Sequence, residues 1–144
     1  MVDGVDRIVA KDVMIRNIYT IRPENRVALA RLRMLRHGVG ALPVIDRERT
    51  LVGIITLRDI DLAGQEASAL LVEDLMTTNL LTESEDTAIQ AIAATMLQTG
   101  IQRIPIVDAD RRLIGLVTQT TIIRAATKWW NQTHERESAD PEMQ

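Results

Sequence analysis

Apolar residues recur along the chain in two rhythms, one helical and one alternating. Ile89, Ile92, Ala93, Met96 and Leu97 fall at i, i+3, i+4, i+7 and i+8, which predicts an amphipathic helix over 86–99. Ser84, Glu85 and Asp86 offer caps and negative charge at its positive end, and Gly100 offers a left-handed stop. A matching helix is predicted over 24–37, led by Pro23 and ended by Gly38. Each helix is followed by two strand-like runs, 41–46 with 51–56 and 103–108 with 113–118. Their polar connectors, 47–50 and 109–112, suit tight hairpins. Short strands at 17–21 and 79–82 precede the helices, and second helices begin near Leu57 and Gln119. The predicted order is β-α-β-β-α, given twice.

That doubling is visible residue by residue. A shift of 62 positions aligns residues 13–60 with 75–122 without a gap, and about 13 of the 48 pairs are identical. They include Met14/Met76, Asn17/Asn79, Thr20/Thr82, Gly38/Gly100, Pro43/Pro105, Asp46/Asp108, Gly53/Gly115 and Thr56/Thr118. A three-stranded sheet covered by helices on one side leaves an apolar face, and one such unit of about 60 residues is marginal alone. The expected fold is therefore α/β: two β-α-β-β-α repeats packed about a pseudo-two-fold through their sheets into one compact globule. The expected divisions are repeat one at 10–62, a helical join at 63–72, repeat two at 73–125, and a helical then disordered tail at 126–144.

Composition narrows the chemistry. Without cysteine, the 144 residues exclude a disulfide framework, a thiolate zinc site and a cysteine nucleophile. Two histidines, His37 and His134, argue against a histidine-rich metal site. Apolar runs fall short of the roughly 20 residues that span a bilayer, and the N-terminus lacks the features of a signal peptide. A soluble cytoplasmic protein is the expectation, with no membrane partner. Residues 1–62 carry eleven Lys/Arg against eight Asp/Glu, and residues 63–144 carry six against twelve. This asymmetry fits ordinary surface variation or complementary assembly. The net charge of −3 and the lack of an aromatic platform speak against nucleic acid.

The repeated string resembles a tandem CBS-domain pair, the Bateman module, over roughly residues 10–125. Repeat one carries Val13-Met14, His37-Gly38-Val39-Gly40-Ala41-Leu42-Pro43-Val44-Ile45-Asp46 and Gly53-Ile54-Ile55-Thr56-Leu57-Arg58-Asp59-Ile60. Repeat two carries Leu75-Met76-Thr77, Gly100-Ile101-Gln102-Arg103-Ile104-Pro105-Ile106-Val107-Asp108 and Gly115-Leu116-Val117-Thr118-Gln119-Thr120-Thr121-Ile122. Gly-x-x-Thr-x-x-Asp runs from a strand end into a helix start, where free N–H groups favour anionic oxygens. The resemblance implies that Thr56 meets a phosphate and Asp59 the ribose hydroxyls, with Arg58 in the same stretch. It implies an adenine held among Ile54, Leu80, Leu81 and Ile101, and Arg103 as phosphate partner. An arginine fork suits phosphate oxygens. A plainer reading stands beside this one: Thr56 as a helix N-cap, Asp59 as a dipole complement, and Arg103 on a solvated edge.

A second, pseudo-symmetric cleft would be lined by Tyr19, Val39, Leu116, Thr118 and Thr121. It departs from the family pattern, with Thr121 at the position of Asp59 and Ala41 at that of Arg103. The two clefts should therefore be unequal, the second weak, empty or used for another ligand. No catalytic set or metal site is found. Gly38-Val39-Gly40 reads as a helix stop rather than a phosphate loop. Asp59 and Asp61 do not share a helix face. His37 complements a helix C-terminus, and Arg31, Arg33 and Arg36 read as a solvated face.

The function implied is regulatory binding of an adenosyl ligand, with AMP, ADP, ATP and S-adenosylmethionine as candidates and no required cofactor. A homodimer would signal through its own arrangement or through an effector protein. The alternative is a ligand-free dimerisation or interaction module with vestigial clefts. Beyond the repeats, the last helix is expected to reach about residue 131, with a disordered tail from His134. Trp129 and Trp130 point about 100° apart on a helix, so at most one packs fully and the other is a candidate oligomer contact.

Overall fold

The computed structural model describes residues 8–139. Its elements are α1 (Ala10–Val13), α2 (Val27–His37), β1 (Ala41–Ile45), β2 (Leu51–Thr56), α3 (Leu57–Ala63), a 3-10 turn (Gln65–Ala69) and α4 (Val72–Leu75). After these come α5 (Ile89–Thr99), β3 (Arg103–Val107), β4 (Leu113–Thr118) and α6 (Gln119–Ala139). The protein is mixed α/β with two small sheets, β1 with β2 and β3 with β4. The chain forms two units. The first is Asn17–Thr82 with Val107–Ile114, and the second joins the segment up to Arg16, Glu83–Ile106 and the chain from Gly115 onward.

In the first unit, α2 buries Val27, Ala30 and Met34 in one cluster with Leu42, Val44, Ile55, Ile60, Ala67 and Val72. The i, i+3, i+7 spacing places those three side chains on one face. β1 is buried along its length, whereas β2 alternates buried and half-buried residues. They run antiparallel, with Leu42 opposite Ile55 and Val44 opposite Gly53.

The predicted first strand of each repeat contracts to a single bridge. Ile21 pairs in parallel with Val44, and Glu83 with Ile106. In repeat one the cause is local. The chain turns directly after Ile21, where the Arg22 N–H donates to Asn25 Oδ1 at 2.9 Å and the Asn25 N–H to the Arg22 carbonyl at 3.1 Å. Consequently α2 starts at Val27 rather than at 24.

Repeat two makes the same correction in the second unit. The Thr87 N–H donates to the Ser84 carbonyl at 3.2 Å, and the Thr87 hydroxyl to Glu83 Oε2 at 3.1 Å. Ser84, Glu85 and Asp86 therefore lie in a turn, and the N-cap of α5 is Ala88. Both helices stop where the sequence places a glycine, Gly38 at φ 65° and Gly100 at φ 74°. The left-handed region is accessible to glycine without a Cβ clash.

The units cut across the sequence periods because a short segment at the start of each repeat pairs with the other repeat. In the second unit, Ile15 and Leu116 exchange two backbone hydrogen bonds, each 2.9 Å. In the first, Thr77 and Ile54 do the same at 2.8 and 3.0 Å. Each crossing covers a glycine with a methionine. A Cβ on Gly53 would lie 2.8 Å from Met76 Sδ and 3.0 Å from the Thr77 carbonyl oxygen, and one on Gly115 would overlap the Met14 thioether. These two glycines are required for close approach rather than for backbone freedom.

The hairpin tips meet within the first unit. The Leu51 N–H donates to the Arg111 carbonyl and the Leu113 N–H to the Arg49 carbonyl, both at 3.0 Å. Asp46 Oδ1 accepts from the Glu48 and Thr50 N–H groups, and Asp108 Oδ1 from those of Asp110 and Arg112. Such side-chain turns tolerate the left-handed residues that follow, Arg49 (φ 67°) and Arg111 (φ 62°).

In the second unit, α6 runs unbroken to Ala139, past the end expected near residue 131. Residues 140–144 of the tail lie outside the described residues. Trp129 is half-buried, whereas Trp130 is 56% exposed, so one of the pair packs more fully than the other. Among the described residues no helix is long and apolar enough to cross a membrane.

Candidate functional site

β2 ends at Thr56, and its alternation puts Val52, Ile54 and Thr56 on the less buried face of the strand. The chain then enters α3, where Thr56 is the N-cap. Its hydroxyl accepts from the Asp59 N–H at 3.0 Å, and Asp59 Oδ2 accepts from the Thr56 N–H at 3.0 Å. This reciprocal capping box satisfies two helix-start donors. The plainer roles weighed for these residues are therefore real. They are also compatible with a ligand role, because the cap engages one carboxylate oxygen of a half-buried Asp59. Arg58 stands exposed on the first turn of α3.

Ile54, Thr56, Arg58, Asp59, Leu80 and Leu81 all belong to the first unit. Leu80 packs against Ile45, Leu51 and Leu113, so part of its side chain serves the core, while Leu81 is 37% exposed. Ile101 and Arg103 belong to the second unit and are half-buried. The Ile101 N–H donates to the Thr99 hydroxyl at 3.2 Å, just after the Gly100 stop, and Arg103 opens β3.

The second set divides likewise, with Tyr19 and Val39 in the first unit and Leu116, Thr118 and Thr121 in the second. At the start of α6 the cap of α3 is rebuilt without a carboxylate. The Thr121 N–H donates to Thr118 Oγ1 at 3.2 Å, the Thr118 N–H to Thr121 Oγ1 at 3.3 Å, and the hydroxyls lie 3.0 Å apart. Thr121 is 7% exposed, and this position presents no charge.

Sequence reasoning missed an aromatic pair. Tyr19 and His37 stack with ring centroids 3.8 Å apart and planes 9° apart. They are 18 positions apart, and no sequence period links them. Elsewhere, an open groove of about 440 Å³ follows one face of α6, lined by Ile123, Arg124, Thr127, Lys128, Asn131 and Gln132. It contains none of the anticipated site residues.

A duplicated α/β repeat, each copy with a threonine cap where its second strand enters a helix, defines the class of fold. Comparison with known proteins gives that class its family. The CBS domain matches residues 10–65 and again 72–128, and the chain belongs to the CBS-domain family. It is 35% identical over 115 residues to inosine-5'-monophosphate dehydrogenase of Methanocaldococcus jannaschii, covering 80% of this chain and 23% of that enzyme. It thus spans about a quarter of that relative's length. Among solved structures, CBSX2 in complex with AMP is similar at 32% identity and a TM-score of 0.76, covering 83% of this chain and 96% of that one. The CBS domain pair of protein MJ0100, in complex with 5'-methylthioadenosine and S-adenosyl-L-methionine, is similar at 31% identity and a TM-score of 0.75, covering 84% and 97%.

Proposed function

We propose that this CBS pair is a regulatory module that binds an adenine nucleotide or a related adenosyl ligand. The observation that carries the reading is the Thr56–Asp59 cap. It holds a half-buried carboxylate by one oxygen, leaving Oδ1 as the acceptor for paired ribose hydroxyls. Ile54, on the same strand face as Thr56, and Leu80 and Leu81 supply aliphatic surface for the base. Arg58 is an exposed cation beside the cap. Ile101 as a base contact and Arg103 as phosphate partner are assigned on the family resemblance. AMP in one similar structure, and 5'-methylthioadenosine with S-adenosylmethionine in another, support the ligand class.

In this reading the chain is a binding module rather than an enzyme, acts in the cytoplasm and needs no cofactor. A ligand that favours one conformation shifts its population, and a partner or a second copy reads the shift. A homodimer is the assembly proposed. Leu29, Leu32 and Leu35 stand 37%, 50% and 67% exposed on α2, and the two halves of the chain carry opposite net charge.

The decisive experiment is isothermal calorimetry and thermal shift with AMP, ADP, ATP and S-adenosylmethionine on wild type and Asp59→Thr. Threonine is the residue with which repeat two builds the same cap, so this variant removes the carboxylate while sparing the helix start. A ligand at about 100 times its Kd stabilises the wild type by roughly 2.7 kcal/mol, and Asp59→Thr loses most of that gain. Equal stabilisation of both proteins removes Asp59 from the site. No response to any compound favours the ligand-free interaction module.

A further inference from the structure

α6 is longer than the repeat requires. Its counterpart α3 ends after 7 residues at Gly64 (φ 84°), whereas α6 runs for 21. The extra turns carry both tryptophans of the chain. Along α6, Ile122, Ala125, Trp129 and Thr133 are half-buried and recur at i, i+3, i+7 and i+11, so this stripe faces the body of its own unit. A second stripe, Ile123, Thr127, Trp130 and His134, is exposed throughout, with Ile123 at 64% and Trp130 at 56%. Its spacing of 4, 3 and 4 residues is that of a coiled-coil seam.

That stripe is complementary to itself. The His134 ring lies against Trp130 with centroids 4.0 Å apart, and its Nδ1 donates to the Trp130 carbonyl at 3.0 Å, so the indole is buttressed where it stands out. Thr127, nearly one turn earlier, lines the open groove of about 440 Å³, so the surface is recessed there. Charge follows the same pattern. Residues 119–131 carry Arg124 and Lys128 and no acid, whereas residues 132–144 carry four acids and one arginine. Parallel helices would set like charge on like. Antiparallel helices set opposite charges side by side and oppose their dipoles.

We propose that α6 is the seam on which a second copy of this chain docks, the two helices antiparallel about a two-fold at the level of residues 128 and 129. That axis sets Trp130 opposite the partner's Thr127, large against small, and Ile123 opposite the partner's His134. A tryptophan enclosed in this way is the kind of anchor that dominates interface energies. The inference rests on the homodimer proposed above and gives it a surface.

The test is sedimentation velocity on the full chain, with cysteine cross-linking to read the register. Wild type sediments as a dimer, and Trp130→Ala raises the dimer dissociation constant at least about thirtyfold with an unchanged circular dichroism spectrum. The chain has no cysteine of its own, so single substitutions report cleanly. Mixed Ile123→Cys and His134→Cys proteins link to one another on oxidation. Neither links to itself, because like positions lie about 16 Å apart along the antiparallel pair. The cross-link leaves Trp130 in place, so it reads the register even if the truncation disturbs the helix. A dimer that survives Trp130→Ala unchanged, or in which the mixed cysteines do not link, overturns the α6 seam and leaves the homodimer standing. A wild type that stays monomeric overturns the homodimer itself, and the seam with it.

Discussion

Two helix starts, 62 residues apart, solve one problem with different atoms. At α3 a threonine hydroxyl and an aspartate carboxylate cap one another, and at α6 two threonine hydroxyls do so. The comparison teaches that the fold asks only for an oxygen acceptor at this position. A hydroxyl satisfies the backbone nearly as well as a carboxylate. The negative charge of Asp59 is an addition to that acceptor role, favourable at a helix N-terminus and, in the proposed reading, available to the ligand.

The comparison can be broken at several places. The largest effect is expected at the paired glycines, where Gly115→Ala drives a methyl group into the Met14 side chain and lowers stability by about 3 kcal/mol in urea unfolding. Gly53→Ala costs a similar amount, because the Thr77 carbonyl 3.0 Å away cannot withdraw like a side chain. Full stability in either variant would mean that the methionine crossings are loose.

Next comes ligand affinity. Asp59→Thr weakens AMP by at least about tenfold, roughly 1.4 kcal/mol, and moves the unfolding midpoint little. A variant that instead unfolds early would return Asp59 to a purely structural role. Thr121→Val at the sister cap shows the reverse split. It costs about 1 kcal/mol of stability, by chemical denaturation, without changing AMP affinity. Smallest is the effect at the hairpin tips. Arg111→Gly relieves a left-handed residue and stabilises by about 0.5 kcal/mol. Arg49→Gly gains less, because the Arg49 guanidinium also donates to the Leu113 carbonyl at 3.3 Å. Equal gains at the two arginines would show that this bond contributes nothing.

Much of this was legible in advance. Gly38 and Gly100 marked the helix stops, and the apolar spacing placed Ile89, Ile92 and Met96 inward. The Thr56/Asp59 and Thr118/Thr121 difference stood in the sequence, although its hydrogen bonds did not. Helix starts were less legible. Ser84 and Pro23 are as much at home in a turn before a helix as at its first position, and both repeats used the turn. The predicted strands ahead of them shrank to Ile21 and Glu83 for the same reason.

Local periodicity and the 62-residue repeat, taken alone, determined α2, α5, the two hairpins, their order and the residues that break the repeat's symmetry. These depend on side-chain spacing and identity, which a sequence displays directly. Tertiary structure decided which segment crosses to which repeat, why Gly53 and Gly115 have no room for a side chain, and where Tyr19 finds His37. Each of these joins residues far apart in the chain, and their pairing follows from how buried surfaces close over one another rather than from any local period.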